Sequence, residues 1–166
     1  MNKSSRPPVL DVDGVLAERL GRTGLRPTVQ RRRVFQVLHQ QRDHPSAEEV
    51  FIRAKDQMPD ISMATVYNCL DTLVRCGLVK QVHHDRGATR YCSNMNEHHH
   101  FYCDECGGTY DITADPEEGH PAMRLPPGFR MRRFEIAFNG LCPACAARRR
   151  KQSGSVAHAA YHSTTP

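Results

Sequence analysis

The spacing of apolar residues predicts four helices in the first half of the chain. The first covers Val15 to Leu20, and the second begins near Pro27-Thr28, where proline suits a first turn and threonine a cap. Ser46-Ala47-Glu48-Glu49 has the spacing of a capping box and predicts the start of the third helix. The fourth begins after Ser62 and ends at Gly77. Its apolar residues fall on one face, at Val66, Cys69, Leu70, Leu73 and Val74.

Beyond Gly77 the apolar pattern changes from a helical period to that of strands. Leu78–Val82 and Ala88–Cys92 are predicted strands, joined by a turn at residues 83–87. Three helices followed by a two-stranded ribbon is the plan of a winged helix-turn-helix, whose last helix offers its polar face to the DNA major groove.

The polar face of the fourth helix carries Thr65, Tyr67 and Asn68, whose side chains suit the edges of DNA bases. An ordinary solvated helix face is the alternative interpretation. Given a winged helix, Arg31 and Arg33 on the second helix are expected to contact phosphates.

The second half of the chain predicts a separate, strand-rich domain. Strands are expected at His98–Tyr102, Thr109–Ile112 and Arg130–Asn139. The fold class is therefore α+β, an N-terminal winged helix-turn-helix followed by a small α/β domain. The predicted divisions are a flexible arm (1–13), the winged helix (14–92), a hinge (93–97), the second domain (98–147) and a disordered basic tail (148–166).

Composition restricts the cellular compartment and the classes of partner that we expect for the chain. The 166 residues are 39% apolar and 25% charged, with a formal charge of +5 that is compatible with a polyanionic partner. No apolar run reaches the roughly 18 residues of a membrane span, and the N-terminus has no secretory pattern. We therefore expect a cytoplasmic protein without a membrane partner, and in that compartment the seven cysteines argue for metal binding rather than for disulfides.

Two CxxC pairs, Cys103–Cys106 and Cys142–Cys145, give the strongest chemical signal. Four thiolates satisfy a tetrahedral zinc ion with no open position, which predicts a structural Zn²⁺ that stabilises the fold. A rubredoxin-like iron site and a dithiol redox pair are weaker alternatives, because each pair has a partner pair and a redox enzyme needs only one.

The run Glu97-His98-His99-His100 predicts a second metal site. On a strand His98 and His100 point to one face and His99 to the other. Three adjacent histidines favour metal binding over a solvated polar turn. Cys92, Asp111 and His44 are candidates to complete the ligand shell.

Two other classes of function compete with a DNA-binding metalloregulator. A zinc hydrolase or deaminase needs HExxH, or HxE followed by PCxxC, and neither pattern occurs. We therefore expect no enzyme and no small-molecule substrate. A structural zinc-ribbon interaction protein explains the four cysteines, but neither the helix-rich first half nor the histidine triplet.

From Leu25 to Cys145 the chain resembles the ferric uptake regulator family of bacterial metalloregulators. The residues that carry the resemblance are LRPTVQRRRVF (25–35), HPSAEEVF (44–51), SMATVYNCLDTLVRCGLV (62–79), EHHHFYCDECG (97–107) and the closing CPAC. The resemblance implies a homodimeric repressor that binds AT-rich inverted repeats of double-stranded DNA when loaded with metal. It also implies that the second domain is a zinc-containing dimerisation domain, with a structural zinc on Cys103, Cys106, Cys142 and Cys145.

The regulatory site of the peroxide-responsive branch is implied at His44, Cys92, His98, His100 and Asp111. The chain departs from that branch at Cys92, where peroxide sensors carry aspartate and zinc-uptake regulators carry cysteine. A thiolate with two imidazoles favours zinc, whereas His44 and Asp111 suit Fe²⁺ or Mn²⁺. Control of zinc uptake is therefore the leading interpretation, and an iron- or manganese-loaded peroxide-stress repressor is the alternative.

Overall fold

The computed structural model describes residues 11–83, 87–113, 125–132 and 134–159, the last seven by their backbone only. It divides into two compact units, Met1–Met95 and Asn96–Pro166. The division falls inside the segment 93–97 that the sequence predicts as a hinge. Residues 1–10 of the predicted arm and residues 84–86 of the predicted turn lie outside the described residues.

Four helices form most of the first unit: α1 (Val12–Arg22), α2 (Val29–Gln40), α3 (Ala47–Lys55) and α4 (Met63–Arg75). Three predicted caps are confirmed, because the side chains of Thr28, Ser46 and Ser62 each accept a hydrogen bond from the backbone N–H three residues on. Helix α1 begins earlier than predicted, since the side chain of Asp11 caps it.

The core of the first unit lies between these helices, with α2 packed against α1, α3 and α4. Its side chains come from the apolar faces of all four helices, including the predicted face of α4, and are almost fully buried: Leu16, Leu20, Val34, Phe35, Val37, Leu38, Val50, Val66, Leu70 and Leu73. Burial of each such side chain contributes about 1.5–3 kcal/mol relative to exposure. This core holds α4 with its opposite, polar face outward.

A short ribbon completes the first unit. Gly77 adopts a left-handed backbone with φ 64°, and the N–H of Leu78 donates to the carbonyl of Leu73, which ends α4 as predicted. Strand β1 (Lys80–Val82) then pairs antiparallel with β2 (Arg90–Cys92). Both strands are shorter than the sequence predicts. Helices α2 to α4 and this ribbon form a winged helix-turn-helix.

The second unit contains a three-stranded sheet in the order β4-β3-β5. Strand β3 (His99–Cys103) lies in the centre, antiparallel to β4 (Thr109–Ile112) and parallel to β5 (Ala137–Gly140). The predicted strand Arg130–Asn139 is wrong in its first part, because residues 130–132 and 134–136 are described but are not strand. Phe134 and Ile136 of this segment contact His99 and His100 of β3 without regular strand pairing.

Helix α5 (Pro143–Ala159) follows the sheet and contradicts the predicted disorder of residues 148–159. Alanine and arginine dominate its first turns, and both have high helix propensity. Residues 160–166 lie outside the described residues. Among the described residues, no helix combines the length and apolar character that a membrane span needs.

Candidate metal centres and DNA-reading surface

The four cysteines of the CxxC pairs converge in the second unit. Cys103 ends β3, Cys106 lies in the turn that follows, and Cys142 and Cys145 flank the start of α5. Their Sγ atoms lie within 4.8 Å of one another, and those of Cys106 and Cys142 are 3.9 Å apart. A tetrahedral zinc ion with Zn–S bonds near 2.3 Å separates its sulfurs by about 3.8 Å, so these four residues fit zinc.

Local hydrogen bonds stabilise negative charge on these sulfurs. The backbone N–H of Cys142 donates to Cys103 Sγ at 3.3 Å and is the main cause that lowers the pKa of Cys103 to about 6. The Tyr110 hydroxyl, donating to Cys142, lowers the pKa of that thiol. Arg148 Nη2 donates to Cys145 Sγ at 2.8 Å, although burial raises the pKa of Cys145 to about 12. A cation bound to the four sulfurs would stabilise all of them as thiolates, including that of Cys145.

This cluster also forms a small buried core within the described part of the second unit. Cys103, Cys142 and Cys145 pack with the half-buried Phe101 and Leu141. A core of this size contributes little hydrophobic stabilisation, so an ion at the cysteines would hold β3 to the start of α5. The predicted role of the four cysteines as a structural site is consistent with this arrangement.

A second cluster in the same unit brings together His98, His100 and Asp111. The Nε2 atoms of the two histidines are 3.0 Å apart, and Asp111 Oδ1 lies 3.3 Å from the first and 3.7 Å from the second. Both histidines are almost fully buried. Two nitrogens on a tetrahedral zinc ion lie about 3.3 Å apart, so this donor set also fits a cation.

Hydrogen bonds at the two Nδ1 atoms orient the rings of His98 and His100 so that their Nε2 atoms face each other. His98 Nδ1 lies 2.8 Å from the backbone oxygen of Asn96, and His100 Nδ1 lies 2.6 Å from Glu135 Oε1. A carbonyl and an ionised carboxylate only accept hydrogen bonds, so each Nδ1 carries a proton and donates. In the neutral rings both Nε2 lone pairs then point at each other and at a carboxylate. A cation between them removes this repulsion.

Glu135 is a site residue that sequence reasoning missed. It contacts a histidine 35 positions earlier in the chain, across the pairing of β3 with β5. No local spacing signals such a long-range contact. His99 behaves as the strand alternation predicts: its ring faces Phe134, and its Nδ1 accepts from the N–H of Ile136.

In the first unit the structure brings together His44 and Cys92, with ligand atoms within 4.8 Å of each other. His44 is buried and has φ 53°, a left-handed conformation that is unusual outside glycine. Strand β2 holds this backbone in place, because Arg90 Nη1 donates to the carbonyl of His44 and the N–H of Tyr91 donates to that of Pro45. Backbone strain at a buried histidine beside a buried thiol is typical of functional sites.

The outward face of α4 carries the three residues predicted to read DNA bases. Tyr67 and Asn68 are exposed, and Thr65 is half-buried with its hydroxyl 2.8 Å from that of Ser62. Thr65, Asn68 and Arg31 line one open pocket of about 210 Å³ between the starts of α2 and α4. This surface is polar, and Arg31 makes it cationic at one side.

Arg33 does not belong to that surface. Its side chain is buried, and its Nη2 donates to the carbonyl of Arg53 at the end of α3. The prediction that Arg33 contacts phosphates is therefore wrong for this arrangement. Its position four residues before the buried Val37, on the same helix face, was the signal that could have placed it inside.

Together, a winged helix with an outward polar face and two clusters of metal-ligand side chains defines the class of metal-binding, DNA-binding regulators. The profile of the Ferric uptake regulator family matches residues 22–138, which is more than half of the chain, and the chain belongs to this family. It is therefore a transcriptional regulator and not an enzyme.

Individual relatives agree with this assignment. The chain is 28% identical over 130 residues to the peroxide operon regulator of Bacillus subtilis (strain 168), covering 78% of this chain and 90% of that protein. It is 31% identical over 114 residues to the ferric uptake regulation protein of the same strain, covering 66% and 76%. The solved structure of the Helicobacter pylori ferric uptake regulator has the same fold, with a TM-score of 0.66, 21% identity and coverage of 81% and 91%.

Proposed function

We propose that the chain is a cytoplasmic, homodimeric repressor that binds an AT-rich inverted repeat when a regulatory divalent ion is bound. The observation that carries the proposal is the pair of buried Nε2 atoms of His98 and His100, 3.0 Å apart beside Asp111. This donor set differs from the four cysteines in its mixed nitrogen and oxygen chemistry. Such a site is expected to bind metal more weakly and to exchange it.

We further propose that His44 and Cys92 belong to the same regulatory site. Support comes from their mutual proximity within the first unit, from the strained backbone of His44 and from the family resemblance. Ligands on both sides of the segment 93–97 lose relative freedom when they share an ion. In a homodimer this loss sets the spacing of the two α4 helices, and a two-fold operator accepts only half-sites about one DNA turn apart.

DNA is read, in this proposal, by Tyr67 and Asn68 at base edges, with Thr65 at the helix start. Arg31 contacts a phosphate from the rim of the pocket that it shares with Asn68. Exposure of these side chains on α4 supports the assignment.

Zinc is our proposal for the regulatory ion, because the Cys92 thiolate with two imidazoles forms a soft donor set. The second candidate is an iron- or manganese-loaded peroxide-stress repressor. The 28% identity to the peroxide operon regulator favours it, as do His44 and Asp111 as hard or borderline ligands.

Titration of protein that retains only its four-cysteine zinc tests both candidates. Zn²⁺, Fe²⁺, Mn²⁺ and Ni²⁺ are added in turn, and binding is measured to an AT-rich inverted-repeat duplex selected with the wild-type protein and to a scrambled duplex. We expect Zn²⁺ to promote specific binding at the lowest concentration. Cys92→Asp is expected to shift the preference toward Fe²⁺ or Mn²⁺. If no metal changes binding to the selected duplex, the proposed function is wrong.

Treatment with hydrogen peroxide distinguishes the peroxide-stress repressor from the zinc-dependent repressor. Wild-type protein loaded with Fe²⁺ is treated with hydrogen peroxide under otherwise identical conditions. Loss of operator binding in the Fe²⁺-loaded protein, with no loss in the Zn²⁺-loaded protein, favours the peroxide-stress repressor. Insensitivity of both forms favours the zinc-dependent repressor.

A further inference from the structure

The His100 ring lies between two carboxylates of different roles. Its Nδ1 is 2.6 Å from Glu135 Oε1, while its Nε2 lies on the side of His98 and Asp111. Glu135 therefore contacts the histidine on the edge opposite the candidate ligand atoms. We propose that Glu135 is a positioning residue of the regulatory site: it fixes His100 in the tautomer that directs the Nε2 lone pair at the ion. The inference rests on the proposed function of that site.

Hydrogen-bond chemistry determines the tautomer. An ionised carboxylate only accepts, so at 2.6 Å the proton of the neutral His100 ring lies on Nδ1. Nε2 then has its lone pair in the ring plane and can bind a cation without first losing a proton. A carboxylate partner also fixes the orientation of the ring, so that Nε2 stays directed at the ion.

His98 shows the same arrangement with a weaker partner. Its Nδ1 donates to the backbone oxygen of Asn96 at 2.8 Å, which fixes the same tautomer without a formal charge. A backbone oxygen cannot be removed by substitution, whereas the Glu135 carboxylate can. Glu135 is thus the side chain through which the tautomer of this histidine pair can be tested.

The position of Glu135 depends on the pairing of β5 with β3. The N–H of His100 donates to the carbonyl of Ile136 at 3.4 Å, and His100 is opposite Ala137 in the register. Glu135 lies two residues before the first residue of β5, and Cys142 of the structural site lies two residues after its last. The side chain of Glu135 is 39% exposed, so the short contact to His100 is a specific pairing at an otherwise open position.

The test compares Glu135→Ala and Glu135→Gln with wild type, and uses Glu18→Ala as a control that removes the same charge from helix α1. The tautomer of His100 is measured in protein with only the four-cysteine zinc, from the nitrogen chemical shifts of the ring at a pH where it is neutral. The dissociation constant of Zn²⁺ at the regulatory site is measured by competition with a chromophoric chelator.

We expect the proton of His100 on Nδ1 in wild type, in Glu18→Ala and largely in Glu135→Gln, whose amide oxygen still accepts. In Glu135→Ala it moves toward Nε2, and Zn²⁺ affinity falls by about 10- to 100-fold, a usual effect of removing such a partner. Glu135→Gln should lie between wild type and Glu135→Ala in affinity.

An unchanged tautomer in Glu135→Ala overturns the inference, whether or not the affinity falls. So does an unchanged affinity despite a changed tautomer. Failure of wild type to bind a second Zn²⁺ would instead refute the proposed function of this site as a regulatory zinc site. The tautomer measurement in protein without the regulatory ion separates the two failures.

Discussion

The Tyr67 hydroxyl on α4 donates a hydrogen bond to Glu48 Oε1 on α3 at 2.9 Å, and both side chains are exposed. The bond raises the pKa of Tyr67. The helix-terminal N–H of Glu48 itself, followed by the Tyr67 hydroxyl, lowers the pKa of Glu48. A carboxylate thus stands on the surface proposed to face DNA and fixes the direction of an aromatic ring beside it.

Removal of this charge should weaken discrimination between DNA sequences. In Glu48→Gln the ring of Tyr67 loses a strong acceptor, and one negative charge that repels phosphates disappears. We expect tighter binding to a scrambled duplex and a smaller ratio of operator to scrambled affinity. Tyr67→Ala should lower operator affinity by about tenfold or more, because it removes the aromatic contact. Fluorescence anisotropy at two salt concentrations measures both effects, and a larger ratio in Glu48→Gln would contradict this account.

The capping box of α3 makes a prediction about stability. Glu49 Oε2 accepts from the N–H of Ser46 at 2.7 Å, and Ser46 Oγ accepts from the N–H of Glu49 at 3.3 Å. Ser46→Ala should cost about 1 kcal/mol in the free energy of unfolding of the first unit. For a unit of this size that lowers the melting temperature by about 4–8 °C. Thermal unfolding followed by circular dichroism measures the shift, and Ser46→Asp, which retains a capping acceptor, should recover most of it.

Loss of the four-cysteine site should unfold the second unit while leaving the first folded. Cys142→Ser removes one ligand from the cluster that forms the small core of that unit. We expect loss of bound zinc, loss of the dimer and retained helical signal from α1 to α4. Cys76→Ser, a buried cysteine outside the cluster, is the matched control and should keep its zinc. Zinc content and sedimentation velocity decide the outcome; a zinc-free variant that stays dimeric contradicts the structural role.

Local sequence signals predicted the parts of the fold that local chemistry determines. Caps such as Thr28 and Ser62, the terminating Gly77 and the buried face of α4 depend on residues within one or two turns. The two CxxC pairs likewise favour metal binding, and the structure brings their four cysteines together. For these features the sequence and the structure agree.

Features that depend on distant partners or on competing local signals were predicted poorly. Glu135 becomes a site residue only because β5 pairs with β3, and Arg33 is buried only because α3 ends beside α2. The basic residues after Cys145 predict disorder, although Ala146, Ala147 and Arg148 favour a helix that starts at Pro143. In that segment helix propensity outweighs charge repulsion.

The most direct test of the account removes the two imidazoles whose Nε2 atoms face each other. His98→Ala/His100→Ala is compared with wild type and with His99→Gln, which changes the neighbouring histidine on the opposite face of the strand. Operator binding is measured with and without added Zn²⁺ in protein that retains its four-cysteine zinc. We predict that the double variant stays dimeric and loses metal-dependent operator binding, whereas His99→Gln keeps it. A double variant that still binds its operator more tightly when metal is added would contradict the account.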